Sequence, residues 1–170
     1  MLSRMEGEPV PLPKVPNVSP AIDGDLWKLF QIRLEEVGGR IIQQDEIAAL
    51  SSKLLWVEKA AEGVVKLKST TDSIWDAEIG VSVAAFGIAE TGSLVFESQP
   101  GTERLSSLIP PVNVVIVSAI VGTVSEAINR LAGGNLVITT GSSRTADIEG
   151  VLVRGVHGPR ELLVYRVTSQ

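Results

Sequence analysis

Apolar residues change their spacing several times along the chain, and each change marks an element. Leu26, Leu29, Phe30, Leu34 and Val37 follow the three–four spacing that lines one face of a helix. Asp23 or Asp25 caps its start and Gly38–Gly39 ends it. Arg40–Gln43 reads as a short strand, since helix, diglycine turn and strand open a crossover unit. Asp45 starts a second helix through Leu50 and Leu54, and Val64–Lys68 reads as a further strand.

Beyond residue 77 the apolar runs lengthen. Val81–Ala89 and Gly92–Ser98 are uncharged but for Glu97, and they meet at a Glu90-Thr91-Gly92-Ser93 bend, which predicts two β segments. Pro110–Pro111 precede Val112–Val117, a β-branched run typical of a strand buried on both faces. Ser125–Leu131 predicts a helix stopped at Gly133–Gly134, and Asn135–Thr139 another buried strand. The polar loop Gly141–Asp147 then feeds a short helix containing Ile148 and Glu149, and Leu162–Val167 is the last strand. Alternating elements of this kind predict an α/β fold with a mostly parallel sheet and helices on both faces. Ligands of such sheets are expected beyond the carboxyl ends of the strands.

Residues 1–20 carry Pro9, Pro11, Pro13, Pro16 and Pro20 and read as an extended arm, leaving residues 21–170 as one domain. With 44% hydrophobic but only 4% aromatic residues, the core is built from Val, Ile, Leu and Ala. The net charge of −5 provides no field to hold a polyphosphate backbone, so nucleic acid is not expected as a partner. That charge is uneven. Residues 1–103 hold 16 acids and 9 bases, while residues 104–170 hold 4 acids and 6 bases, all six Arg, beside the sole histidine, His157.

The absence of Cys removes disulfides, thiolate metal sites, Cys nucleophiles and iron–sulfur clusters held by this chain, and one His builds no multi-histidine site. No metal site is expected. The start, MLSRMEGEPV, lacks the apolar core of a secretory signal, so cytoplasm is the expected compartment. Leu105–Ser125 is uncharged over twenty-one residues, but Pro110, Pro111, Asn113, Gly122 and five hydroxyl residues break it into a turn, a strand and a helix start.

Three segments carry candidate chemistry. Gly141-Ser142-Ser143-Arg144-Thr145-Ala146-Asp147 has the make-up of an anion cradle: a glycine that frees backbone N–H groups, hydroxyls, an arginine and an expected helix start. A loop and N-cap cluster accounts for the same residues. Glu90 ends an apolar run, where partial desolvation would fit it for nucleophilic or general-base work, or it merely caps a tight turn. His157, before Gly158-Pro159, sits where a turn places a ring in a cleft or simply buries it. Asp147 and Glu149 are indistinguishable by spacing from helix-start charges. No Ser/His/Asp triad is defensible from order alone.

Ile88-Ala89-Glu90-Thr91-Gly92-Ser93, Thr140 to Glu149 and Gly155-Val156-His157-Gly158-Pro159 together resemble the LUD domain, the family of lactate-utilisation protein C. The similarity extends from about Glu78 to Val167, and Glu90, Thr91, Gly92, Arg104, Thr145, Asp147, Glu149, His157, Gly158 and Pro159 agree with the family pattern. Val83 stands where that pattern has Gly, Ala85 where it has Asp, Asn113 where it has His and Ser142 where it has Pro. The resemblance implies a three-layer α/β/α sandwich of the sugar-isomerase and coenzyme-A-transferase type. It also implies an accessory role in oxidising lactate or another organic acid beside iron–sulfur partner subunits.

Three functions follow as expectations. The first is such an accessory protein, binding a small anion or a partner through Glu90, Thr91, Gly92, Ser93 and Arg104 together with Gly141, Ser142, Ser143, Arg144, Thr145, Asp147 and Glu149. The second is an acyl- or coenzyme-A-handling enzyme with Glu90 as nucleophile and His157 as a further catalytic residue. The third is an assembly subunit without a ligand. Homo-oligomerisation is compatible with the abundance of apolar strands.

Overall fold

The structure, a computed structural model, describes residues 22, 24–98, 104–131, 135–146, 152–154 and 158–167, with the backbone alone at 98, 104, 135, 144–146 and 152–154. Of the two candidate caps it is Asp25 that starts α1 (Leu26–Glu36): its Oδ1 accepts from the N–H groups of Trp27 (3.0 Å) and Lys28 (3.2 Å). The chain leaves α1 through Gly38 and enters β1 (Gly39–Ile42). It continues through α2 (Gln44–Ala49), β2 (Leu55–Val57), α3 (Lys59–Val65) and β3 (Ile79–Val83). Next come β4 (Phe86–Ile88), β5 (Ser93–Ser98), β6 (Val112–Val117), β7 (Ile120–Val121) and α4 (Val124–Arg130). The last elements are β8 (Asn135–Thr139), β9 (Arg144–Ala146), β10 (Leu152–Arg154) and β11 (Glu161–Arg166).

Five strands form an all-parallel sheet in the order β1-β11-β6-β3-β2. Side chains alternate across β6, so each face of the sheet receives its own core. Val114 and Ile116 pack with Val81, Ile47 of α2 and Ala61 of α3; Val115 and Val117 pack with Val164, Phe30 and Leu34 of α1. These are the three layers of an α/β/α sandwich. Complete burial of Phe30 and Leu34 contributes about 1.5–3 kcal/mol each.

A second sheet, β7-β4-β5-β8, is joined to the same α1 core through Leu94 and Phe96. Its other face meets α4 through Ile88, Val95 and Ala127. β4 and β5 form the hairpin expected around residues 90–93.

Several expectations change. The apolar run Val81–Ala89 is two strands of two different sheets, separated at Ala84–Ala85. Val64–Lys68 is not a strand: Lys59–Val65 is helical, a run whose Ala60, Ala61 and Glu62 favour helix, and only Ala61 of it is buried. The second helix starts at Gln44 and ends at Ala49, and Leu54 leads into β2, a strand absent from the expected list. Residues 144–146, expected as part of the polar loop, form strand β9, paired antiparallel with β10; the short helix expected to contain Ile148 and Glu149 lies outside the described residues. The uncharged stretch Leu105–Ser125 is divided among a 3-10 turn, β6, β7 and the start of α4. No helix among the described residues is long and apolar enough to cross a membrane. The Pro-rich arm 1–20 and the Gly133–Gly134 stop lie outside the described residues.

Candidate functional site

Two of the three singled-out segments meet because of sheet register. β5 pairs with β8 so that Leu94 faces Thr139, which puts Ser93 beside Thr140. The hydroxyls of Thr91, Ser93 and Thr140 form a chain, with oxygen–oxygen distances of 2.7 Å from Ser93 to each of the others. The hairpin tip turns at Gly92, whose φ of +67° suits glycine. A Cβ there would lie 2.3 Å from the backbone N of Leu34, so the tip rests directly on the last turn of α1.

Gly141 acts in the same way from the neighbouring strand. Its φ is +74°, and a Cβ would stand 2.2 Å from the carbonyl oxygen of Val37, the C-cap of α1. Ser142 is buried beyond it. The N–H of Ser143 donates to the carbonyl of Pro159 at 2.8 Å, which draws the third segment alongside the second.

Between these loops and the large sheet lies a cleft of about 550 Å³. Its walls carry the hydroxyl residues Ser107, Thr139, Thr140, Ser142 and Ser143, the apolar residues Leu108 and Ile138, and the C-terminal end of α1. Its floor includes Asn113 and Leu162, the second residues of β6 and β11. The cleft therefore opens at the amino ends of the parallel strands, opposite to the expected position. The reason is the second sheet, which carries both motif loops to that end.

Asn113 is 1% exposed, and its Oδ1 accepts a hydrogen bond from the buried Ser82 hydroxyl at 3.0 Å. The pair crosses from β6 to β3 and sets the amide's orientation under the cleft. In the sequence Asn113 stands out only as a departure from the family pattern. A lone amide within an apolar strand was the available signal.

Glu90 takes a different direction. Its N–H donates to the carbonyl of Gly122 at 3.0 Å, and its Oε2 accepts from the N–H of Val124 at 3.1 Å, at the start of α4. It is absent from the residues that line the cleft, which include Gly141, Ser142 and Ser143. Thr91 and Ser93 approach that wall through Thr140. Arg104 begins a 3-10 turn whose Ser107 reaches the cleft, and Arg144 and Thr145 belong to β9; their side chains are outside the description. Asp147, Glu149 and His157 lie outside the described residues. Among the described residues no group of three or more His, Cys, Asp or Glu is placed to hold a metal ion.

The sequence pattern of the LUD domain matches residues 29–167, a span that contains both sheets and all the motif loops. The chain belongs to the LUD domain family. The lactate utilization protein C of Bacillus subtilis is 30% identical over 169 residues, covering 93% of this chain and 62% of that protein. The lactate utilization protein C of Deinococcus radiodurans is 40% identical over 88 residues, 47% of this chain and 42% of that protein. An uncharacterized protein of Neisseria meningitidis is 34% identical over 106 residues, 57% of this chain and 45% of that protein. This LUD domain thus spans about half the length of the relatives it matches. The crystal structure of a DUF162 family protein from Deinococcus radiodurans superposes with a TM-score of 0.60 at 24% identity, covering 84% of this chain and 96% of that one, and so shares the α/β fold.

Proposed function

We propose that this LUD domain serves lactate utilisation as an accessory component that takes a small carboxylate in the amino-end cleft. The observation that carries the reading is the contact of Ser93 with Thr140, which joins two separate family motifs at one cleft wall. The hydroxyls and Asn113 supply hydrogen bonds to a small polar ligand, and Arg144 follows Ser143 directly where the wall ends. Similarity to the lactate utilization protein C of Bacillus subtilis and of Deinococcus radiodurans supports the lactate assignment. With no Cys in this chain, iron–sulfur clusters of such a system belong to partner subunits.

The test is calorimetry of the whole chain with L-lactate, pyruvate, phosphate and coenzyme A, repeated on Arg144→Ala. Saturable binding of lactate or pyruvate that weakens about tenfold or more in the variant is expected. Silence toward every anion would overturn the reading and leave an assembly role. A covalent adduct at Glu90 after incubation with an acyl-coenzyme A would overturn it in favour of acyl transfer.

A further inference from the structure

The opposite end of the parallel sheet, where doubly wound folds hold their ligands, has a cavity of its own. Its volume is about 360 Å³, and it lies at the carboxyl ends of β1 and β11 against α1. Arg166 forms one side. Its guanidinium lies over the indole of Trp27, with Cζ 4.6 Å from the ring centroid. An arginine that lies over an aromatic face still has the N–H donors at the edge of its planar fork to offer.

Among the described residues, Arg166 has no carboxylate partner within ion-pair distance. No carboxylate among the described residues lines the cavity. Asp25 belongs to the neighbouring cavity across the Trp27–Arg166 stack, where its Oδ1 caps α1. The remaining polar lining is neutral. Tyr165 donates its hydroxyl to Oε1 of Gln44, which fixes that amide, and Gln43 stands beside it. Ile41 provides an apolar surface.

A single guanidinium over an aromatic face, neutral amide donors and an apolar wall fit one negative charge on a short carbon skeleton. They do not fit a polyanion, which would need further cations. We propose that this cavity is a second binding site, independent of the amino-end cleft, for a small organic carboxylate: the carboxylate accepts from the edge of Arg166 and the carbon chain lies on Ile41.

The experiment is nitrogen-edited NMR of the full chain. Its three tryptophans give three indole N–H signals, and Trp27→Phe identifies the one that reports on the stack. Titration with acetate, L-lactate and succinate is expected to move the Trp27 signal saturably, with half-saturation on the order of 1–10 mM. Arg166→Gln is expected to weaken that response about tenfold, and Arg166→Lys to fall between, because it keeps the charge and loses the planar fork. Arg166 is exposed, so both variants are expected to melt with the parent protein. A Trp27 signal unmoved by every carboxylate, an undiminished response in Arg166→Gln, or a stronger response to inorganic phosphate would overturn the proposal. Carboxylate binding in the cleft alters the backbone signals of residues 140–143 instead, so each site fails or succeeds on its own reporters.

Discussion

Replacing Gly92 by Ala tests whether the family's glycines exist for packing. An alanine held near φ +67° costs about 1–2 kcal/mol in backbone strain. Its Cβ would stand 2.3 Å from Leu34 N and 2.4 Å from Arg33 C, both backbone atoms of α1, where ordinary contact begins at 3.4 Å. The last turn of α1 must then retreat by about 1 Å, pulling fully buried Leu34 out of register with its core; overpacking of this kind costs about 1–3 kcal/mol. The expected loss is about 3 kcal/mol, read as a lower urea midpoint at unchanged m and as a melting temperature lower by about 6–12 °C. Gly63→Ala is the control. That glycine lies in α3 with no atom within 4 Å of the added carbon, so alanine is expected to stabilise by about 0.5–1 kcal/mol. Gly141→Ala presses on the same turn through Val37, and one retreat relieves both clashes. The Gly92/Gly141 double variant is therefore expected to lose about 1 kcal/mol less than the sum of the single losses. A Gly92→Ala protein within about 0.5 kcal/mol of the parent would refute the close-approach argument.

Ser82→Ala removes the donor to a buried amide oxygen and is expected to cost about 1–3 kcal/mol in denaturant unfolding, whereas Ser82→Ala combined with Asn113→Val is expected to recover much of that loss. Leu34→Ala, at a fully buried position under both sheets, is expected to cost about 2–5 kcal/mol by the same measurement; a loss under about 1 kcal/mol would mean that the site collapses around the gap. Asp25→Ala is expected to cost about 1 kcal/mol by leaving two N–H groups of α1 without their acceptor, and Asp25→Asn to restore most of it. Glu46 is held below the usual carboxylate range, first by its bond from Arg40 and then by the N–H of Gln43. Because its folded pKa is depressed, its contribution is present above the unfolded value and is lost as pH falls through the folded one. The melting difference between the parent and Glu46→Gln is therefore expected to be small, to shrink with salt and to vanish in acid.

Local signals located several elements of the chain. The spacing of Leu26 to Val37, the Val112–Val117 run and the bend at Glu90–Ser93 each became the element expected, because each is decided by periodicity, β-branching or turn chemistry within a few residues. Where the expectation failed, a distant partner was the deciding factor. Val81–Ala89 reads as one run because its residues are apolar on both sides of Ala84–Ala85, yet the two halves hydrogen-bond to strands of different sheets. Arg144–Ala146 reads as part of a polar loop, but pairing with Leu152–Arg154 makes it a strand.

The site divides along the same line. Sequence alone determined the α/β class, the LUD motifs, the absence of thiolate ligands and the concentration of Arg in the last third, all of which are properties of composition or short order. Only the tertiary structure decided that Ser93 meets Thr140, that Glu90 faces the start of α4, and that the cleft opens at the amino ends of the strands. It also decided that the carboxyl ends hold Arg166 stacked on Trp27. The physical reason is register. Side-chain identity sets which groups a residue can offer, but pairing between strands 47 positions apart sets which group it meets.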